Sequence, residues 1–115
     1  MEDKLYTVSD ICYLTGVTRK TLFYYDKIGL LMPSLRQGIQ KHKMYDSTQK
    51  IRLEEILKYR SAGMTILEVK SLLDDPMVDR KAVFAGALKR LNEEYEQKKE
   101  QIEALNELMI KESKD

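Results

Sequence analysis

The stretch from Tyr6 to Asp26 constrains this fold more than any other part of the chain. Val8, Ile11 and Leu14 fall on one helical face, Thr15-Gly16 breaks the period, and Val17, Leu22 and Tyr25 restart it. The gap between the two helical runs is four residues or fewer, the length of the turn joining the steeply crossed helices of a helix-turn-helix. In such a unit the second helix enters the major groove. Arg19 and Lys20 open that second helix, where side chains reach base edges and phosphates. Thr7, with Asp10 three residues on, makes a capping-box-like start for the first helix, and Thr18 is placed to cap the second by accepting from the Thr21 amide.

Length then limits what can surround this unit. A chain of 115 residues holds one small domain and an extension, not two sizeable cores. The predicted division is residues 1–76 and residues 77–115. No apolar run approaches the roughly 18 residues that a membrane span needs. Met1-Glu2-Asp3-Lys4 lacks the apolar stretch of a secretory signal, so the expected location is the cytoplasm, at the nucleoid.

A formal net charge of +1 alone would argue against nucleic-acid binding, but its distribution reverses that impression. From Val17 to Arg52, eight basic residues (Arg19, Lys20, Lys27, Arg36, Lys41, Lys43, Lys50, Arg52) face only Asp26 and Asp46, a local charge of +6 with His42 in addition. From Asp79 onward, eight basic residues meet nine acidic ones. A basic front with a balanced rear is the footprint of one half that meets DNA and another that is solvated or self-associating.

After the second helix, Gly29 suits the left-handed position beyond a helix end and Pro33 forces extended backbone before it. Gly38 is the natural turn between a segment near Leu35-Arg36 and one near Lys43-Met44-Tyr45, which predicts a small β-hairpin. An isolated hairpin is marginal unless it packs on helices. Arg36, Lys41, His42 and Lys43 would suit it as a wing along a phosphate backbone, the alternative being a solvated loop. Ser47 opens a helix carrying Ile51, Leu53, Ile56, Leu57 and Tyr59 and ending at Gly63. Thr65 and Glu68 then form a capping box for a helix stopped by Asp74-Asp75-Pro76.

The period changes once more from Asp79. Phe84, Leu88, Leu91, Tyr95, Lys98, Ile102, Leu105 and Met109 follow a strict alternation of four and three, a coiled-coil seam with one polar entry. So long and narrow-faced a helix needs a partner, and a second copy is the economical one. Lys98 is the expected register-setting position.

An enzyme is not expected, because His42 is the only histidine and no nucleophile or carboxylate constellation accompanies it. Cys12 is the only cysteine, which precludes an intramolecular disulfide; it reads as a small residue packed near the core, and no cofactor or metal is expected.

With these residues laid out, the chain resembles the MerR family of bacterial transcription regulators across nearly its full length. The likeness is carried by Tyr6-Thr7-Val8, Leu14-Thr15-Gly16-Val17-Thr18-Arg19, Thr21-Leu22, Tyr24-Tyr25-Asp26 and Ile28-Gly29-Leu30-Leu31. It continues through Pro33-Ser34, Arg36, Tyr45, Arg52-Leu53, Ile56, Gly63-Met64, Glu68-Val69, Leu72-Leu73 and Asp75-Pro76. The stretch from Asp75 to Ala82 looks most like the subgroup that answers to drugs and peptides.

The resemblance implies a mostly α winged helix-turn-helix, dimeric through an antiparallel coiled coil. It also implies binding to promoters whose −35 and −10 elements are too widely spaced, with distortion of the spacer realigning them for RNA polymerase. By the same likeness, Thr7, Arg19, Tyr24 and Tyr25 would contact DNA from the helices, and Arg36, Lys43 and Tyr45 from the wing; core packing is the alternative for both tyrosines of the pair, favoured for Tyr25 and not for Tyr24. Three positions depart from the family pattern. Phe23 stands where arginine or histidine is usual, Lys41-His42-Lys43-Met44-Tyr45 replaces a Gly-Tyr-Arg-x-Tyr wing, and Lys50 replaces a leucine. No effector domain or cysteine pair follows the coiled coil in this sequence, so an unswitched regulator or the front part of a longer protein is expected. The rival reading is a DNA-bending, excisionase-like architectural protein that recruits no polymerase.

Overall fold

The computed structural model describes residues 4–114, and its backbone divides into two compact units between Lys70 and Ser71. The first unit holds β1 (Tyr6–Thr7), α1 (Val8–Thr15), α2 (Arg19–Lys27), β2 (Leu35–Gln37), β3 (His42–Tyr45), α3 (Ser47–Ser61) and the start of α4 (Ile66–Asp74). The second holds the rest of α4 and α5 (Arg80–Ser113).

Each helix begins where its side chains satisfy the free amides of the first turn. Thr7 Oγ1 accepts from the Asp10 amide at 3.1 Å while Thr7 N–H donates to Asp10 Oδ2 at 3.0 Å, so the capping box closes with aspartate in the place usually held by glutamate. Thr18 Oγ1 accepts from the Thr21 amide at 3.1 Å, Asp46 caps α3, and Thr65 with Glu68 forms a second reciprocal box. Gly16 ends α1 at φ +81°, and a Cβ there would meet nothing within 4 Å, so glycine is required by backbone conformation rather than by space.

The sheet differs from the expected two-stranded hairpin. It has three strands in the order β1-β3-β2, all antiparallel, with Tyr6 opposite Tyr45, Thr7 opposite Met44, and Arg36 opposite Lys43. The added strand supplies the third member that a lone hairpin lacks. Only two residues long, β1 leaves no periodic trace in the sequence.

Leu22, Tyr45, Leu53, Ile56 and Val69 are fully buried, with Ile11, Leu30 and Leu31 nearly so. Leu14 and Ile51, placed by periodicity on inward faces, are instead largely exposed, and Cys12 is half-buried. Arg52, counted with the basic front, turns inward: its Nε donates to the Leu30 carbonyl at 2.9 Å and ties α3 to the loop after α2.

In the second unit, Asp79 caps α5 by accepting from the Ala82 amide at 3.1 Å. The helix runs 34 residues, roughly 50 Å at the usual rise. Along the heptad positions Phe84, Leu88, Tyr95, Ile102, Leu105 and Met109 are exposed, as is Lys98, while Leu91 is half-buried. Leu108 and Ile110 are exposed beside them, so the apolar surface broadens toward the end of the helix. No helix among the described residues is long and apolar enough to cross a membrane.

Candidate nucleic-acid interface

The start of α1, the outward side of α2 and the wing formed by β2 and β3 surround one groove of about 560 Å³. Thr7, Ser9, Arg19 and Phe23 line it from the helices, and Gln37, Gln40, Lys41, His42 and Lys43 from the wing. Sequence neighbours therefore do not make this site; the fold brings α2 against β3, the central strand of the sheet.

Asp26, near the end of α2, fixes that approach. Its Oδ1 accepts from Arg36 Nη2 at 2.8 Å and its Oδ2 from Arg36 Nη1 at 2.9 Å, while Lys43 Nζ lies 2.8 Å from Oδ2. The carboxylate is only 9% exposed. Hydrogen bonding from Arg36 first, then from Lys43, holds its pKa below the ordinary aspartate value against the opposing effect of burial. The same bond to Asp26 raises the Arg36 pKa further. Arg36 and Lys43 are thus held as a pair opposite each other on adjacent strands, clamped to the helix that follows the turn.

A second set of contacts closes the groove floor. Lys43 Nζ stands 4.1 Å from the Phe23 ring centroid and the Arg19 guanidinium carbon 5.7 Å from it. Arg19 Nη1 also reaches Ser9 Oγ at 3.4 Å. Cations over an aromatic face are attracted by its quadrupole. Phe23 therefore gathers two of the cations that line the groove.

Among the residues singled out from sequence, Thr7, Arg19, Lys41, His42 and Lys43 come together in this groove. Thr18 is occupied as a helix cap, Lys20 is exposed outside the groove lining, and Tyr24 is half exposed while Tyr25 is buried. Tyr45 is a correction. Expected to face DNA from the wing, it is fully buried, because its strand position opposite Tyr6 turns the ring inward. Its hydroxyl has no hydrogen-bond partner, and burial pushes its pKa up to about 12. Sequence reasoning missed Asp26 and Phe23. The signal for Asp26 was its place as one of two acids within the basic stretch; the signal for Phe23 was its departure from an otherwise cationic position.

Residues 6–75, covering α1, α2, the wing, α3 and α4, match the family described as MerR HTH family regulatory protein. The chain belongs to the MerR family. Among relatives, the transcriptional activator TipA of Streptomyces coelicolor is 44% identical over 77 residues, which is 67% of this chain and 30% of TipA. The transcriptional activator mta of Bacillus subtilis is 30% identical over 105 residues, 91% of this chain and 40% of mta. This MerR chain thus spans well under half the length of either relative. The solved N-terminal part of the B. subtilis multidrug transporter activator superposes with a TM-score of 0.75 at 30% identity, covering 90% of this chain and 97% of that one. HiNmlR, a MerR regulator lacking the sensor domain and bound to promoter DNA, shares the fold at 21% identity with a TM-score of 0.57, over 87% of this chain and 80% of its own.

Proposed function

We propose that two copies of this MerR chain bind promoter DNA, each placing α2 in the major groove and its wing on the flanking phosphates. The observation that carries the reading is the groove in which Arg19 from α2 meets Lys41, His42 and Lys43 from the wing, within the segment that matches the family. Helix side chains there are at the height of base edges, and wing cations suit phosphate oxygens, which position a protein without reading sequence. Thr7 lines this groove and Thr18, Lys20 and Tyr24 lie outside its lining as further candidate contacts, and Arg36 acts by orienting the wing.

Dimerisation runs through α5. Its exposed apolar heptad positions need covering, and a second α5 covers them with the same residues in exchange. A dimer of fixed span sets two half-sites at a fixed separation. Placed between the −35 and −10 elements, it acts on spacer geometry by distorting the duplex, with RNA polymerase as the reader of the result.

The test is footprinting of the protein's own upstream region at two salt concentrations beside Arg19→Ala. Protection of a pseudo-palindrome between −35 and −10, weakened by salt and lost in the variant, supports the regulator. Protection away from promoter elements favours the architectural, DNA-bending alternative. Absence of protection at either salt removes the proposed target.

A further inference from the structure

Phe23 is the one apolar side chain that this cationic groove presents from the middle of α2, and it is 40% exposed there. It follows Arg19 by four residues, so the two share a face of the helix. Resting on the reading of α2 as the DNA-facing helix, we propose that Phe23 is a specificity residue that recognises the C5-methyl group of a thymine in the major groove.

The chemistry narrows the choice. A phenyl ring offers no hydrogen-bond donor or acceptor, so it contributes nothing to guanine, cytosine or phosphate recognition. In the major groove the thymine methyl is the apolar feature that distinguishes one base pair from the others, and phenylalanine is among the side chains that meet it. Stacking of an unpaired base is disfavoured here, since Lys43 Nζ at 4.1 Å from the centroid occupies the space over the ring that a base would need. Lys43 is itself anchored to Asp26 at 2.8 Å, and Arg19 lies over the ring at 5.7 Å, so the ring is held in place before any ligand arrives. The two cations beside it attract the polyanionic duplex; the ring chooses the base.

The probe is a duplex recovered from a randomised library by selection on the full chain, with each thymine replaced in turn by deoxyuridine, which removes the methyl alone. The wild type is expected to lose about fourfold in affinity at one thymine per half-site, the effect of one buried methyl group. Phe23→Ala is expected to bind the parent duplex more weakly by a similar factor, to be indifferent to deoxyuridine at that position, and to keep the wild-type salt slope. If Phe23→Ala loses its thermal transition, Phe23→Gln serves the same comparison with comparable bulk. A wild type indifferent to every methyl, or a variant that keeps the deoxyuridine penalty, overturns the proposal while leaving DNA binding intact. A wild type that enriches no duplex overturns the DNA-binding reading and this inference together.

Discussion

Asp26 and Arg36 form a two-pronged ion pair, 2.8 and 2.9 Å, that joins the end of α2 to the outer strand of the wing. The pair ties together two elements that are separated in sequence by a loop. Parallel N–H···O bonds from one planar guanidinium give this link a direction that a single lysine contact lacks.

Asp26→Asn is expected to destabilise the first unit by about 1 kcal/mol at neutral pH, a figure kept low because Arg36 and Lys43 stay in touch with water. Because the folded-state pKa of Asp26 is depressed, its contribution is present above the unfolded value near 4 and lost as pH falls through the folded one. Urea unfolding at pH 7 and at progressively lower pH checks this. The gap between wild type and variant closes in acid.

Arg19→Ala removes an exposed cation whose side chain reaches Ser9 at only 3.4 Å. Stability is expected to stay within about 0.5 kcal/mol of wild type. Affinity for a selected duplex falls, and the slope of log K against log salt drops by about 1. Fluorescence anisotropy titrations at several salt concentrations measure both quantities.

Tyr45 separates a core role from an interface role. Tyr45→Phe deletes a buried hydroxyl without a hydrogen-bond partner and is expected to be neutral or to stabilise by up to about 1 kcal/mol, with DNA affinity unchanged. Tyr45→Ala opens a cavity and costs about 3–5 kcal/mol. Thermal melts paired with binding titrations distinguish these results; weakened binding by a stable Tyr45→Phe protein would restore the tyrosine to the interface.

The α5 seam predicts its own disruption. Leu88→Glu combined with Leu105→Glu places charges at two exposed apolar heptad positions and is expected to yield monomers by sedimentation equilibrium. Lys98→Leu, which removes the polar entry in the seam, is expected to tighten association and loosen its register. A wild-type chain sedimenting as a monomer at all concentrations contradicts the dimer.

Periodicity and caps made the helices legible. Thr7, Thr18, Thr65 and the glycines at positions 16, 29, 38 and 63 act over a few residues, so their signals survive in a linear reading. What escaped depends on contacts distant along the chain. Arg36 and Arg52 looked alike as surface cations, yet one pairs with Asp26 and the other donates to the Leu30 carbonyl. Tyr45 looked like a wing contact because a strand's two faces are indistinguishable until its partner is known, and its partner is the two-residue β1. Phe23 read as a lost contact when taken alone; only the approach of Lys43 shows it as the centre of the groove.

Thr7 serves at once as a strand residue opposite Met44 and as the cap of α1. Strand and helix therefore share a joint with no slack, and on the other side Asp26 binds the wing back to α2. Such a braced frame behaves as a caliper of fixed opening rather than a jaw. Under the proposed DNA-binding reading, the duplex would supply the compliance, and the elastic cost of a poor fit would fall on the nucleic acid.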